Sequence, residues 1–425
     1  MQRDTAFQMS ASNIRFGPGI TREIGMDLQD MSVSRTLVVM DPALRDLLPG
    51  ESVCESLDQA NVDYEVWDAV RVEPTDKSFQ DAAKVAADGG FDSFVAVGGG
   101  STIDTAKAAN LYATYPADFM EYVNAPLGQG KPVPGPLKPL IAVPTTAGTG
   151  SETTGVAIFD FAEIHSKTGI AHRYMKPTLG LVDPNNTRTM PASVAAATGL
   201  DVLSHALESF TALPFDQRPM PARPLERPAY QGANPLSDIW SLRALEIVAE
   251  FLPRAYSDPS DDEARGEMML AAAMAGVGFG NAGVHLPHGM SYPVASMVRE
   301  YQHPGYDVDH PLIPHGISVI LNTPSVVRFT ASANPDRHLQ AAAALGADIS
   351  GASPDQAADI LAQRVCHIMR QVDVPNGLAA VGYTENDVPA LVRGTLPQHR
   401  VTKLSPIPAE EKELTELFLS GMTAW

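Results

Sequence analysis

The sequence predicts an α/β domain over residues 1–190 followed by an all-α domain over residues 191–425. The chain has 425 residues, which is too long for one ordinary domain of roughly 100–200 residues. In the first part, short apolar runs alternate with helical stretches, as is typical of a parallel sheet covered by helices. In the second part, apolar residues recur at helical spacing, and the change falls near Met190–Pro191.

The elements of the predicted α/β domain follow one another in a regular order. An apolar run that ends in an acid is followed by a second run and a helix. A strand, a glycine turn and a helix come next, and then a further apolar run and a pair of strands. These segments are RTLVVMD (35–41), DYEVWDAV (63–70), residues 78–88, residues 91–114, LKPLIAVPTT (137–146) and residues 169–184.

The predicted all-α domain contains several segments with helical periodicity. Among them are PASVAAATGLDVLSHALESF, SDIWSLRALEIVAEFL, DDEARGEMMLAAAMAGVGF, SPDQAADILAQRVCHIMRQV and PAEEKELTELFLSGM. Between the first two lies an insert, residues 213–235, with six prolines and three arginines. Because proline lacks a backbone donor and clashes with the preceding turn, we expect an irregular loop there.

Composition excludes several classes of protein. The net charge of −20 disfavours binding to nucleic acid or anionic lipid. The two cysteines are too few for a disulfide scaffold or a cysteine-rich zinc module. No run approaches the roughly 20 apolar residues that span a bilayer, and the first residues lack the apolar core of a secretory signal. We therefore expect no nucleic-acid or membrane partner and a cytoplasmic location, with a mature mitochondrial form as the alternative. We also expect a small-molecule substrate and a homo-oligomer.

A glycine turn joins a predicted strand to a predicted helix at Gly98, Gly99, Gly100 and Ser101. Glycine lets the backbone approach a pyrophosphate closely, and the N–H groups at the start of a helix favour an anion. The turn differs from the GxGxxG pattern, and a tight turn that binds nothing is the alternative.

Two further features favour a dinucleotide. Asp41 ends the first long predicted strand, where a carboxylate can accept the ribose hydroxyls and would repel a 2′-phosphate, so NAD is favoured over NADP. The loop VPTTAGTGSETT (143–154) offers Thr145, Thr146, Thr149 and Ser151 to phosphate or ribose oxygens. The alternative for this loop is a solvent-exposed turn.

Histidines and one aspartate form a candidate metal site. Asp201 and His205 are four residues apart in an apolar helix, and later segments hold His285 with His288 and His310 with His315. One carboxylate and three imidazoles suit Fe(II), Zn(II), Co(II) or Ni(II) and suit Mg or Ca poorly. The spacing differs from the HExxH motif, so a zinc peptidase is not supported. For Asp201 and His205 alone, a buried hydrogen bond between the two is the alternative.

Taken together, these motifs resemble the iron-containing (type III) alcohol dehydrogenase family over about residues 12–420. The matching segments are GGGSTIDTAKA, PTTAGTGSE, GLDVLSHALES, HGMSYP and PHG. The resemblance implies a dehydroquinate synthase-like fold, with a dinucleotide-binding α/β domain and a helical metal-binding domain. It also implies Fe(II), or alternatively Zn(II), on Asp201, His205, His288 and His315. The implied NAD contacts are Asp41, Gly98, Gly99, Gly100, Ser101, Asp104, Thr145, Thr146, Thr149 and Lys167.

One position departs from the family pattern. Many members carry a second histidine four residues after the third ligand, and this chain has Tyr292 there. We therefore expect Tyr292 or His285 to act as the catalytic proton relay. The alternative for His285 is a hydrogen bond within its own loop.

Other motifs resemble a subgroup that transfers hydride between a hydroxyacid and a 2-oxoacid through bound NAD. They are KPLIAVPTTAGTGSETTGVAIFD, AYQGANPLSDIW, GNAGVHLPHGMSYPV and GTLPQHRVTKLSP. 4-Hydroxybutyrate would be the donor and 2-oxoglutarate the acceptor, with the metal polarising the substrate oxygen. Both acids need a local cation, because the chain is strongly acidic.

The candidates to bind these carboxylates are Arg218, Arg223, Arg227 and Lys403, since arginine binds a carboxylate through two hydrogen bonds. Alternatively, the arginines are surface residues that pair with Asp216 or Glu226. Three other functions stay open. They are a 4-hydroxybutyrate or general alcohol dehydrogenase that releases NADH, a dehydroquinate synthase-like lyase, and a non-catalytic NAD-binding or metal-sensing protein.

Overall fold

The computed structural model describes residues 2–161 and 166–425, and the chain divides into two compact units. One unit is Ser10–Met190, and the other consists of Pro191–Trp425 together with the described part of Met1–Met9. The first is built around a parallel sheet and the second is helical, so the predicted fold class is confirmed.

The Ser10–Met190 unit contains a six-stranded parallel sheet in the order β1-β8-β5-β4-β2-β3, with β6 and β7 forming a separate antiparallel pair. The strands are β1 Asn13–Phe16, β2 Arg35–Met40, β3 Asp63–Trp67, β4 Ser93–Gly98, β5 Leu140–Pro144, β6 Val156–Phe161, β7 Ser166–Ala171 and β8 Leu179–Val182.

The central strands are continuous apolar runs because both faces of the sheet are covered. Val38 and Val95 point to one face, where they pack with Leu28 and Leu57. Residues of alternate parity point to the other face, where they pack with a different set of helices. The helices of this unit are α1 Ile24–Asp30, α2 Leu48–Gln59, α3 Asp76–Asp88, α4 Gly100–Thr114 and α5 Phe119–Tyr122.

The second unit is built around a helix that is buried along most of its length, α6 (Ala192–Thr211). The remaining helices are α7 Pro235–Ser257, α8 Asp262–Ala282, α9 Leu286–Ser296, α10 His315–Ile320, α11 Thr323–Thr330, α12 Pro335–Ala344, α13 Ala357–Gln371, α14 Val388–Thr395, α15 His399–Thr402 and α16 Glu411–Ser420. The helices α7 and α8 each begin with a side-chain N-cap. The side chain of Asn234 accepts the N–H of Ser237, and that of Asp261 accepts the N–H of Ala264.

The N-terminal segment differs from the sequence prediction, which assigned residues 1–9 to the α/β domain. Asp4 is buried and binds Arg218 at 2.8 Å and Arg227 at 2.9 Å, and both arginines lie in the proline-rich insert. These ion pairs hold the segment against the helical unit. In the insert, Phe215–Gln217 and Pro224–Glu226 form short 3-10 turns, and α7 begins at its last residue, Pro235.

Within residues 2–161 and 166–425, no single helix is long and apolar enough to cross a membrane. Helices α8 and α9 are long and apolar enough only when they are taken together, and the two are bent by 106° at the break between them.

Candidate functional site

Helix α6 presents three polar side chains on one buried face. Asp201, His205 and Glu208 are spaced four and three residues apart, which places them one above another on the helix surface. All three are buried, with Glu208 only 1% exposed.

The face of α6 is joined by one histidine from each of two further helices. His288 lies in the first turn of α9, and His315 is the first residue of α10. The Oδ1 atom of Asp201 lies 3.8 Å from Nε2 of His205, 3.8 Å from Nε2 of His288 and 3.9 Å from Nε2 of His315. The four ligand atoms all lie within 4.8 Å of one another. The structure therefore brings together the four residues that the sequence suggested as ligands.

A glycine permits this assembly. A Cβ atom added to Gly316 would lie 2.0 Å from the carbonyl oxygen of Ala197 and 2.9 Å from Cβ of Asp201. Only glycine lets α10 begin this close to α6, which explains the glycine in the PHG motif. The side chain of His315 is 25% exposed while the other three ligands are buried, so the cluster is open on the His315 side.

Glu208 determines how His288 is presented. Its Oε1 lies 2.6 Å from Nδ1 of His288, and its Oε2 accepts the backbone N–H of His285 at 2.7 Å. With Nδ1–H donated to the carboxylate, Nε2 of His288 keeps its lone pair toward the other ligands. Burial by itself lowers the pKa of His288, but the Glu208 carboxylate raises it, and the net shift is upward.

The residues fit a transition-metal ion. The Nε2 atom of His288 is buried and has no hydrogen-bond partner within the described residues, although a buried polar atom normally has one. An ion bound about 2.1 Å from each ligand would satisfy it. One carboxylate with three imidazoles is a donor set that suits Fe(II) and related metals.

The two candidate relay residues have different surroundings. His285 lies 3.0 Å from Oγ1 of Thr211, which itself donates to the carbonyl of Leu207, so His285 is the donor in their contact. Burial lowers the pKa of His285 to about 4, so the ring is neutral at neutral pH. Tyr292 lies one turn after His288, and its ring centroid is 6.4 Å from that of His315. Its hydroxyl oxygen accepts a hydrogen bond from Nη2 of Arg400 at 2.9 Å.

The predicted nucleotide contacts cluster at one edge of the sheet in the Ser10–Met190 unit. Asp41 follows β2, the glycine turn follows β4 and Thr145 follows β5, and these three strands are neighbours. The chain passes from β2 to β3 on one side and then to β4 on the other, so a topological switch point lies between β2 and β4. Ligands of open α/β sheets bind at the carboxyl ends of the strands at such a point.

The glycine turn and the threonine loop contact each other directly. A Cβ atom on Gly99 would lie 3.1 Å from Oγ1 of Thr146, and one on Gly100 would lie 2.5 Å from Cγ2 of Thr149. Small residues therefore bring the start of α4 beside the hydroxyl-rich loop. The arrangement can accept a pyrophosphate.

Two predicted cofactor residues, Asp104 and Lys167, also make contacts within the protein. Asp104 accepts hydrogen bonds from Oγ of Ser151 at 2.5 Å and from the N–H of Ile158 at 2.9 Å, and it also lies 3.3 Å from Nζ of Lys107. These contacts indicate a structural role for Asp104, which the sequence did not predict because its partners Ser151 and Ile158 lie in a distant loop and strand. A cofactor contact through Asp104 stays a prediction.

Lys167 is likewise held between two acids, Glu73 and Asp160, the second at 3.0 Å. Burial alone lowers the pKa of Lys167, but the carboxylates of Asp160 and Glu73 raise it well above its usual value. The backbone N–H of Glu73 donates to Oγ of Ser101 at 3.2 Å, so this ion pair adjoins the glycine turn. A cofactor contact through Lys167 stays a prediction.

The four predicted substrate cations have different surroundings. Arg218 and Arg227 both bind the carboxylate of Asp4, a partner that the sequence did not suggest for them. This contact favours a structural role, and substrate binding by either arginine stays a prediction. Arg223 and Lys403 are exposed on the surface. Arg400 was not among the predicted site residues, although the GTLPQHRVTKLSP segment contains it.

Comparisons with known proteins agree with this geometry. A family model described as iron-containing alcohol dehydrogenase matches residues 11–184, and one described as the C-terminal part of the Fe-containing alcohol dehydrogenase family matches residues 225–422. The chain is 56% identical over 421 residues to the mitochondrial hydroxyacid-oxoacid transhydrogenase of Mus musculus, covering 99% of this chain and 90% of that protein.

Two solved structures share the fold. The crystal structure of a 1,3-propanediol oxidoreductase is 26% identical with a TM-score of 0.85, covering 98% of this chain and 100% of that one. The sulfoacetaldehyde reductase of Bifidobacterium kashiwanohense, solved in complex with NAD+, is 25% identical with a TM-score of 0.78, covering 99% of this chain and 98% of that one.

Proposed function

This chain belongs to the iron-containing alcohol dehydrogenase family and is an oxidoreductase, and from that premise we propose that it transfers hydride from a hydroxyacid to a 2-oxoacid through bound NAD. The donor we propose is 4-hydroxybutyrate, and the acceptor is 2-oxoglutarate. The observation that carries the proposal is the four-residue cluster around Asp201, in which Nε2 of His288 is buried without a hydrogen-bond partner in the described structure. The 56% identity to hydroxyacid-oxoacid transhydrogenase supports the substrate class.

Asp201, His205, His288 and His315 would hold one Fe(II) ion, which the family name favours, while the comparisons lend no support to Zn(II). When bound, the metal supplies Lewis-acid polarisation of the substrate oxygen, and NAD supplies a carbon that accepts and returns hydride. Glu208 would keep His288 in the tautomer with a free Nε2, because it binds Nδ1–H.

NAD would bind at the carboxyl ends of β2, β4 and β5. The N–H groups at the start of α4 would bind the pyrophosphate, with Thr146 and Thr149 beside them. Asp41 would accept the adenosine ribose hydroxyls. The NAD+ complex of the similar sulfoacetaldehyde reductase supports the choice of this cofactor.

We further propose Tyr292, rather than His285, as the residue that delivers and removes the proton. The Tyr292 oxygen accepts a hydrogen bond from Arg400, which leaves its own O–H to donate. His285 instead donates its Nε2–H to Thr211 and stays neutral at neutral pH, which favours the hydrogen-bonding alternative for this residue.

A mitochondrial location is the better proposal for this chain than the cytoplasmic one that its composition suggested. The similar transhydrogenases of several vertebrates are named as mitochondrial proteins. Fractionation of cells that express the chain would test this, and recovery in the cytosol alone would contradict it. The homo-oligomer stays a prediction, which light scattering would check.

One experiment separates transhydrogenation from an ordinary dehydrogenase. The purified enzyme is given 4-hydroxybutyrate and 2-oxoglutarate without added NAD, and the product acids and the NADH absorbance are followed together. Transhydrogenation predicts steady formation of 2-hydroxyglutarate without accumulation of NADH. Turnover that requires added NAD and accumulates NADH would favour the dehydrogenase alternative.

A further inference from the structure

Arg400, in the short helix α15, is a guanidinium without a carboxylate. Its Nη1 atom is shielded from solvent and has no hydrogen-bond partner among the described residues. Nη2 donates to the hydroxyl of Tyr292 at 2.9 Å, and the guanidinium lies 5.0 Å from the ring centroid of Tyr230. In the part of the chain that the structure describes, no acidic side chain lies within ion-pair distance of Arg400.

A shielded arginine normally pairs with an acid, because a desolvated charge without a partner is destabilising. Arg337, in the same unit, follows that rule: it binds Asp238 through two hydrogen bonds of 2.6 and 3.0 Å. Arg400 therefore has an unused donor of the kind that proteins use to bind carboxylates.

The position of Arg400 connects this donor to the candidate metal site. Tyr292, which Arg400 contacts, lies with its ring 6.4 Å from that of His315. On the other side, Tyr230 is 6.3 Å from the ring of Phe279, and Phe279 stacks on His205 at 3.9 Å. One or two aromatic rings thus separate the guanidinium from two of the four candidate ligands.

The local sequence favours this approach of α15 to α9. A Cβ atom on Gly289, the residue after His288, would lie 2.6 Å from Cγ2 of Thr402. The glycine of HGMSYP therefore lets the helix that carries Arg400 pack against the helix that carries His288 and Tyr292. Both segments are among those that resemble the hydroxyacid-using subgroup.

We propose that Arg400 binds the substrate carboxylate that is distal to the reacting carbon. This rests on the proposed function and explains how one site can use both substrates. The same number of carbon–carbon bonds separates the reacting carbon from the distal carboxylate in 4-hydroxybutyrate and in 2-oxoglutarate. One fixed guanidinium can then anchor donor and acceptor in turn, with the reacting carbon at the same place.

The test compares acids with uncharged analogues in Arg400→Met and Arg400→Lys. The first readout is the ratio of kcat/KM for 4-hydroxybutyrate to kcat/KM for 1-butanol, with NAD added. We expect Arg400→Met to lower this ratio roughly 100-fold, as is typical when a desolvated charged partner is removed. Arg400→Lys keeps the charge but loses the planar fork, so we expect an intermediate ratio.

The second readout is the affinity of the metal-loaded protein for 2-oxoglutarate, measured by calorimetry, which does not depend on turnover. It should weaken by a similar factor while the metal content stays unchanged. Arg243→Met is the matched control, because Arg243 is an exposed arginine of the same unit that pairs with Glu246 at 2.9 Å. If Arg400→Met does not fold, Arg400→Lys provides both readouts.

The outcomes separate this inference from the proposed function. A parallel fall of both kcat/KM values in an Arg400 variant, with unchanged 2-oxoglutarate affinity, would overturn the role of Arg400. A wild-type enzyme that prefers 4-hydroxybutyrate over 1-butanol and loses that preference in Arg400→Met would support it, even if NADH is released each turnover. If NADH is released each turnover, the transhydrogenation proposal would be refuted, while the role of Arg400 would stand.

Discussion

Replacing Glu208 with glutamine tests whether this carboxylate positions a metal ligand. Glu208 is buried, and it binds Nδ1 of His288 at 2.6 Å and the N–H of His285 at 2.7 Å. Glutamine has nearly the same shape but carries no charge, and it offers one accepting oxygen and one NH2 group that can only donate. One of the two donors that face Glu208 therefore loses its acceptor, and His288 is no longer held in one tautomer.

The expected loss is in metal affinity rather than in folding. Partners of this kind to a ligand histidine typically change metal affinity by about 10–100-fold, which corresponds to about 1.4–2.8 kcal/mol. Because Glu208 is buried, solvent and salt should screen little of this effect. We expect the lower part of the range if the glutamine oxygen stays on His288 and the upper part if the amide group turns toward it.

The assay is an anaerobic titration of the metal-free protein with Fe(II) against a competing chelator. Glu246→Gln is the matched control, because Glu246 is an exposed glutamate of the same unit that pairs with Arg243. A Glu208→Gln variant that stays folded and binds Fe(II) within threefold of the wild type would refute the positioning role.

Three further predictions concern single residues. Burial holds the pKa of His285 at about 4, against an ordinary value of 6.5. The neutral ring therefore contributes stability that is complete above pH 6.5 and is lost as the pH falls toward 4, by about 3 kcal/mol in all. The free energy of unfolding, measured with denaturant, should therefore depend less on pH in His285→Gln than in the wild type over this pH window. An unchanged pH dependence would contradict this. Gly316→Ala places a Cβ 2.0 Å from a carbonyl oxygen, so we expect loss of bound metal and about 1–3 kcal/mol of stability; full metal content after dialysis would contradict it. Arg227→Met should lower the unfolding midpoint and leave the KM for 2-oxoglutarate within twofold, because Arg227 binds Asp4. A large rise in KM would instead support the predicted substrate role of Arg227.

The fold class was predictable because it depends on local patterns. Continuous apolar runs such as residues 37–40 indicate strands that are buried on both faces, and the structure confirms such a sheet. The helical spacing after residue 190 likewise corresponds to α6 and its neighbours. The packing of residues 2–9 was not predictable, because it depends on Asp4 meeting Arg227, 223 residues away in the chain.

The metal cluster could be suggested from sequence only because its residues lie in distinctive short motifs. The spacing of Asp201 and His205 is local, but their meeting with His288 and His315 depends on close helix contacts such as the one at Gly316. Arg400 carries no such signal, since a single arginine in a four-residue helix has no periodicity. Its significance becomes visible only when the partners of each guanidinium are known.

Deuterium tracing tests the proposed hydride transfer most directly. 4-Hydroxybutyrate that carries deuterium on its alcohol carbon is incubated with 2-oxoglutarate and the Fe(II)-loaded enzyme without added NAD. We predict deuterium on the new alcohol carbon of 2-hydroxyglutarate by mass spectrometry, loss of the transfer after chelation, and recovery with Fe(II). A product without deuterium, or a transfer that survives complete metal removal, would contradict the proposed function.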